Sequence, residues 1–173
     1  PIIIPFKSHD VLNKWLGMGA NLLHGATVNE TEACLWLKLP DAPDKGPGTV
    51  LALDAGMCKL LVDSTGQHYG TDCREVLTRV RRCKPGSKGK ARAIATRRCY
   101  LNRIVKLLPF QRVAAIAHED LTNIKRGKQS NRGKRFRKLI APWTIRQVFS
   151  RIAFLARLNR VRVVTVAPRA TSR

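Results

Sequence analysis

The clearest hydrophobic pattern of the chain lies between residues 49 and 70, where short apolar runs alternate with turn residues. Residues 49–54 (Thr-Val-Leu-Ala-Leu-Asp) and 59–64 (Lys-Leu-Leu-Val-Asp-Ser) each have the length and composition of a strand. Ala55-Gly56 and Thr65-Gly66 have the composition of tight turns, and the second turn leads into residues 67–70. The pattern predicts a three-stranded meander.

Beyond residue 73 the spacing of apolar positions becomes helical. Residues 74–108 fit helices that are interrupted at 85–89 (Pro-Gly-Ser-Lys-Gly). In the second predicted helix, one face is apolar and contains Ile94, Leu101, Ile104, Val105 and Leu108. Residues 113–117 and 161–166 are apolar strand candidates, and between them a helical spacing runs from Ile145 to Leu155 after Pro142. The predicted order is β-β-β-α-β-α-β, which indicates an α/β three-layer fold with a mixed sheet.

The first 48 residues have a different character. They read as short strands and loops, with an apolar run at 2–4, a Gly-rich turn at 17–19 and an apolar stretch at 33–39. Residues 40–48 are rich in Pro, Gly and Asp, which is typical of a loop or linker. We therefore expect two domains, a β-rich piece over 1–48 and an α/β domain over 49–173.

The charge of the chain is large and unevenly distributed. The 173 residues contain 33 Lys/Arg and 11 Asp/Glu, for a net charge of +22. Residues 1–73 hold 5 Lys/Arg and 8 Asp/Glu, whereas residues 74–173 hold 28 Lys/Arg and 3 Asp/Glu. Such a density of positive charge repels itself unless a polyanion neutralises it, which favours nucleic acid as the partner. An anionic membrane would require an amphipathic or spanning anchor, and no apolar run approaches that length.

The five cysteines are odd in number, widely spaced, and contain no Cys-x-x-Cys pair. This argues against a disulfide framework and against a local zinc knuckle, and it favours a reducing cytoplasmic setting. Cys58 and Cys99 are expected to be buried, as small apolar side chains, and Phe149 and Phe154 are expected in the core.

Two carboxylates stand at the ends of predicted apolar strands, Asp54 in the first half and Glu119 in the basic half. If their strands are neighbours, the backbones lie about 4.8 Å apart. The two charges would then repel each other unless a cation lies between them. A Mg²⁺-like ion accepts such oxygen ligands and serves phosphodiester chemistry, and Gly56 would let a nucleic-acid backbone come close.

Simpler roles for strand-end acids remain open at this stage. A single aspartate at the end of a strand more often caps a turn than binds a metal. We expect turn capping for Asp63 and for Asp120. Placement of Asp54 and Glu119 together is what favours a metal site.

Two groups of basic residues are candidates for contact with nucleic-acid phosphates. The first is a loop with eight Lys/Arg: Lys125, Arg126, Lys128, Arg132, Lys134, Arg135, Arg137 and Lys138. The second comprises Arg97, Arg98, Arg103 and Lys106 on the predicted helix, where they could line a channel. The competing interpretations are a solvated run of charge and an ordinary solvent-exposed helix face.

Several segments resemble TnpB proteins, the transposon-encoded RNA-guided nucleases related to type V CRISPR effectors. Residues 51–56 (Leu-Ala-Leu-Asp-Ala-Gly), 64–66 (Ser-Thr-Gly) and 69–70 (Tyr-Gly) resemble their first RuvC motif. Residues 115–121 (Ala-Ile-Ala-His-Glu-Asp-Leu) resemble the second motif. Residues 86–88 and the basic sequence after them resemble the inter-motif helices, and 163–168 with 171–172 resemble the segment before the zinc ribbon. The likeness covers about residues 49–173, in order.

The resemblance implies a ribonuclease H-like (RuvC) nuclease domain, preceded over 1–48 by the end of a wedge domain. It implies that Asp54 and Glu119 are two of three metal-binding catalytic acids, that two Mg²⁺ ions assist DNA hydrolysis, and that guide RNA and target DNA are the partners. A Zn²⁺-binding ribbon and the third acid would follow Arg173. The expected location is the prokaryotic cytoplasm, associated with the nucleoid.

Two other functions remain possible on the sequence alone. A nuclease-dead relative would use guided binding to block or mark DNA. A plain basic RNA-binding protein would account for the charge, but it gives no reason for Asp54 and Glu119 to end neighbouring strands.

Overall fold

A computed structural model of the chain describes residues 9–40, 45–121 and 144–167. The chain divides into two units, Pro1–Pro43 and Asp44–Arg173. The division falls within the segment 40–48, which has the composition of a linker.

The first unit contains a helix and a hairpin. Helix α1 spans Asp10–Gly17, and strands β1 (Asn21–Val28) and β2 (Ala33–Lys38) pair antiparallel, with an irregularity between Leu22 and Ala26. The expectation of strands and loops alone was therefore wrong for α1. The helix places its apolar residues at positions 11, 12, 15 and 16, and the His9 side chain accepts a hydrogen bond from the Val11 amide at its start. The predicted apolar strand at 2–4 lies outside the described residues.

The second unit is built on a mixed five-stranded sheet, which confirms the predicted α/β class. Its strands are β3 (Val50–Ala55), β4 (Leu61–Asp63), β5 (His68–Tyr69), β6 (Ala115–Glu119) and β7 (Arg162–Val166). The strand order is β5-β4-β3-β6-β7. β3, β4 and β5 form the predicted antiparallel meander, whereas β6 pairs parallel with both β3 and β7.

Three described helices accompany this sheet: α2 (Cys73–Arg82), α3 (Lys88–Val105) and α4 (Ile145–Leu158). The break between α2 and α3 covers residues 83–87 and overlaps the predicted 85–89 interruption, of which the last two residues already belong to α3. Ser87 begins α3 because its side-chain oxygen accepts a hydrogen bond from the Lys90 amide at 3.1 Å. Pro142, the expected start of the last helix, lies outside the described residues.

The main core cluster of the described residues packs against one face of the sheet. Along β3, Leu51, Leu53 and Ala55 are buried, while the alternate residues Val50, Ala52 and Asp54 are exposed. The buried residues join one cluster with side chains of the helices, including Leu101 and Ile104 of α3 and Val148 and Ile152 of α4. Asp54 therefore points away from the face on which these helices pack.

Three side chains expected in the core are exposed. Cys58 lies in the loop after β3 and Cys99 on α3, and both are exposed. Phe154 of α4 is 47% exposed, and the Arg151 guanidinium lies 5.0 Å from its ring centroid. Phe149 behaves as predicted, because it packs against the core cluster.

Gly70 joins the meander to the helices at a tightly packed point. Its φ is +68°, its carbonyl accepts a hydrogen bond from the Leu60 amide, and an added Cβ would lie 2.6 Å from the Tyr100 hydroxyl oxygen and 2.9 Å from the Leu60 Cβ. The Tyr100 hydroxyl is itself held by Asp72 at 2.6 Å. Glycine is thus required here by backbone conformation and by space.

The Gly70→Ala substitution should lower the free energy of unfolding by about 3 kcal/mol, combining a left-handed backbone penalty with overpacking. Gly66→Ala is the matched control, because Gly66 has φ +83° but no atom within 4 Å of an added Cβ. The control should cost only about 1 kcal/mol. Urea denaturation measures both values, and equal losses would contradict the packing role of Gly70.

Candidate functional site

Asp54 and Glu119 lie at corresponding levels of two neighbouring strands. The parallel register of β3 and β6 pairs Leu53 with His118, so Asp54 and Glu119 are the next residues along each strand. Residues at the same level of adjacent strands point to the same face of a sheet and are about 4.8 Å apart at the backbone. The two strands are therefore neighbours, as the sequence analysis required for a shared site.

The two acids line one groove at this end of the sheet. The groove has a volume of about 480 Å³ and is lined by Ala52, Leu53, Asp54, Val62, Asp63, Ser64, Ala117, His118, Glu119 and Val166. Its size falls within the range of ligand-binding clefts, about 300–1,000 Å³. Carboxylates at the mouth of a mostly apolar cleft are suited to hold a cation beside an anionic ligand.

Ser64 is a groove residue that the sequence analysis did not assign to the site. Its side-chain oxygen lies 3.3 Å from the Ala52 amide, which donates to it, and Val62 is the antiparallel partner of Asp54. Alternate residues 62 and 64 therefore share the face of Asp54. Only the register of β3 with β4 reveals this, and the sequence does not fix that register by itself.

Asp63 has the structural role expected for it. One side-chain oxygen accepts hydrogen bonds from the Thr65 amide (2.9 Å), the Thr65 hydroxyl (2.6 Å) and the Gln67 amide (3.0 Å), which caps the turn after β4. The other accepts the Tyr69 hydroxyl proton at 2.8 Å. Burial alone would raise the pKa of Asp63, but these hydrogen bonds outweigh it and lower that pKa.

His118 supports the strand end that carries Glu119. Its ring stacks on Phe149 of α4, with centroids 3.9 Å apart and planes 10° apart. Its Nδ1 lies 2.9 Å from the carbonyl oxygen of Glu119. Because a carbonyl only accepts, Nδ1 carries the proton of this bond, and the histidine ties the end of β6 to α4.

The predicted phosphate-binding residues of α3 do not share one environment. Arg98 and Arg103 are exposed. Arg97 is only 9% exposed, because it occupies the α3 face that also carries buried Ala93, Tyr100 and Ile104. Burial lowers the pKa of Arg97. Contact of Arg97 with nucleic acid stays a prediction, and the burial of this side chain disfavours it.

The other predicted phosphate-binding group, Lys125, Arg126, Lys128, Arg132, Lys134, Arg135, Arg137 and Lys138, lies outside the described residues. Within residues 9–40, 45–121 and 144–167, no group of three or more His, Cys, Asp or Glu is arranged to hold a metal ion. In the same part of the chain, no helix combines the length and apolar character needed to cross a membrane.

No protein-family model matches the chain, and a search of curated proteins finds no significant match.

Because of the Asp63–Tyr69 hydrogen bond, the free energy of unfolding should change with pH in the alkaline range. Burial, and then the hydrogen bond and charge of Asp63, raise the pKa of Tyr69 from 10.0 to about 12. The folded state therefore holds this proton more tightly than the unfolded chain does. Its contribution to stability is complete below pH 10 and is lost as the pH rises towards 12.

The Tyr69→Phe variant should lose about 2 kcal/mol of unfolding free energy near neutral pH, because it removes a hydrogen bond to a charged group. The difference from wild type should shrink as the pH rises from 10 towards 12. Urea denaturation of both proteins across this range measures the difference. A difference that stayed constant with pH would contradict the assigned hydrogen bond.

Proposed function

We propose that this chain is the core of an RNA-guided DNA endonuclease of the TnpB type, with a ribonuclease H-like (RuvC) three-layer fold. The observation that carries the proposal is the placement of Asp54 and Glu119 at one level of two parallel, neighbouring strands, facing a common groove. Two carboxylates in such positions can offer oxygen ligands to one shared cation.

The arrangement of the sheet supports the ribonuclease H-like part of the proposal. The antiparallel meander β3-β4-β5 lies on one side of β3, and the parallel strands β6 and β7 lie on the other. The resemblance to RuvC motifs implies such a mixed sheet, with one motif on the first strand of the meander and the next on the adjacent parallel strand. Asp54 and Glu119 occupy those two strands.

The side chains at the groove fit Mg²⁺ in their chemistry. Asp54 and Glu119 offer hard anionic oxygens, which Mg²⁺ prefers, and the third acid implied by the family would come from outside the described residues. Bound there, divalent ions would supply an activated water and stabilise the charge that develops on the phosphate. The role of Asp54 and Glu119 is to bind and orient, while Val62 and Val166 give the groove apolar walls.

The charge of the second unit supports nucleic-acid partners. Residues 44–173 contain 30 Lys/Arg and 7 Asp/Glu. Phosphates neutralise this excess and release condensed counterions when they bind. We assign guide RNA and target DNA as these partners, with the base pairing between them supplying sequence specificity.

In the protein that includes the third acid implied by the family, bound to its guide RNA, the Asp54→Asn and Glu119→Gln variants should each reduce Mg²⁺-dependent DNA cleavage by at least about 100-fold, since metal ions contribute several kcal/mol to such reactions. Labelled single-stranded DNA and an RNA–DNA hybrid serve as substrates, with EDTA as the metal-free condition. Binding to the same substrates should persist, because each change removes a negative charge. Glu75→Gln on the exposed surface of α2 is the matched control and should cleave like wild type.

The alternatives give different results in this experiment. If both variants cleave DNA at the wild-type rate, Asp54 and Glu119 have no role in the reaction. If the wild-type protein that includes the third acid and its guide RNA binds both substrates but cleaves neither with Mg²⁺, the chain belongs to a binding-only protein and not to a nuclease.

A further inference from the structure

The outward surface of α3 carries a row of cations, formed by Lys88, Arg92, Arg103 and Lys106, all of which are exposed. At about 100° per residue, these four positions fall within about 60° of one another around the helix. The first and last are separated by about 27 Å along the axis, at about 1.5 Å per residue. We call this row the basic stripe.

The basic stripe and the acidic groove lie on opposite sides of the sheet. The opposite surface of α3 is buried and includes Ala93, Leu101 and Ile104, of which the last two join the core cluster with Leu51 and Leu53 of β3. Asp54 alternates with those β3 residues and points to the other face. A phosphate at the stripe is therefore separated from the groove by the helix and the sheet.

The surroundings of the stripe are strongly positive. Residues 73–106 contain twelve Lys/Arg and one acid, Glu75, and residues 88–106 contain no acid. On the neighbouring helix α2, Arg74, Arg79, Arg81 and Arg82 are also exposed. The Arg103 guanidinium lies 5.8 Å from the Tyr100 ring centroid, which helps to orient it. The potential of this surface is suited to attract a polyanion.

The composition of the surface indicates what part of a nucleic acid it would contact. Tyr100 is the only aromatic residue between 73 and 106, and it is buried. Stacking on bases is therefore excluded for this segment, which disfavours recognition of a single strand by its bases. A straight row of cations about 27 Å long spans the axial rise of about eight base pairs of a duplex, at about 3.4 Å per step, so it would meet phosphates on either side of a groove.

We propose that the basic stripe binds the phosphodiester backbone of a nucleic-acid duplex, at a site distinct from the groove of Asp54 and Glu119. Binding there is independent of sequence, because the contacts are to phosphates. It does not depend on the nuclease chemistry proposed for the groove. Together, the two sites would let one protein hold a duplex on its helical side while a second strand segment occupies the groove.

Neutralising the stripe tests the proposal. The full chain with Lys88→Gln, Arg92→Gln, Arg103→Gln and Lys106→Gln should bind a labelled duplex at least about tenfold more weakly at about 0.1 M salt. The slope of log affinity against log salt should flatten by about 3 to 4, because each phosphate that is no longer neutralised reduces it by about 0.9. Glutamine preserves helix propensity, and circular dichroism checks the fold.

The matched control removes four exposed cations elsewhere, with Lys14→Gln, Lys38→Gln, Lys59→Gln and Arg112→Gln. It should keep a slope closer to that of wild type. A stripe variant with the wild-type slope, or a control whose slope flattens equally, would overturn the proposal. Duplex RNA and duplex DNA of the same length are tested in parallel. The duplex that binds more tightly identifies the type of nucleic acid that the basic stripe prefers.

A second measurement uses the wild-type chain. Cys99 is exposed on α3 between Arg92 and Arg103, at about the same angle as the stripe, and Cys34 of the first unit is also exposed. A saturating duplex should protect Cys99 from alkylation relative to Cys34, as measured by mass spectrometry of the labelled peptides. Equal reactivity of Cys99 with and without duplex would place the nucleic acid elsewhere and overturn the proposal.

Discussion

The parallel pairing of β3 with β6 is the constraint on which the site depends. Leu51 pairs with Ile116 two residues before Leu53 pairs with His118, and both members of the first pair are buried. A slip of one residue would move one partner's apolar side chains out of the core and turn its carboxylate towards the helices. Hydrophobic packing on one face of the sheet thus fixes the positions of the two charges on the other.

Asp54 and Asp63 lie on neighbouring strands, and they show that the face of the sheet to which a side chain points determines its role. Asp63 lies opposite Leu53 on the buried face, and hydrogen bonds from Thr65, Gln67 and Tyr69 satisfy its oxygens. Asp54 is one residue along β3 from Leu53, on the exposed face. A carboxylate whose oxygens accept the hydrogen bonds of a turn stabilises the fold, whereas a carboxylate that lines a groove can bind a ligand. The same alternation separates the groove from the basic stripe of α3.

The main strands and helices of the second unit could be predicted from the sequence. Its strands are short apolar runs, and Pro85-Gly86 marks the break between its first two helices. The sequence was not sufficient for α1, whose four apolar positions in eight residues are too few for a clear period. The burial of Arg97 was not evident from the sequence, because a charged head group does not reveal that the long aliphatic part of the side chain can pack in a core. Ser64 could not be assigned without the β3–β4 register. The pairing of β3 with β6 could be stated only as a condition, since strand neighbours distant in sequence leave no local signal.

The most direct test of the account is whether Asp54 and Glu119 hold one divalent ion together. Amide signals of the isotope-labelled chain can be followed by nuclear magnetic resonance during titration with Mn²⁺, which broadens signals close to it. The account predicts that the Asp54 and Glu119 amides broaden together, that excess Mg²⁺ restores both, and that Asp54→Asn and Glu119→Gln each weaken the affinity for Mn²⁺. No broadening at these amides, or a wild-type Mn²⁺ affinity in either variant, would contradict a shared metal site.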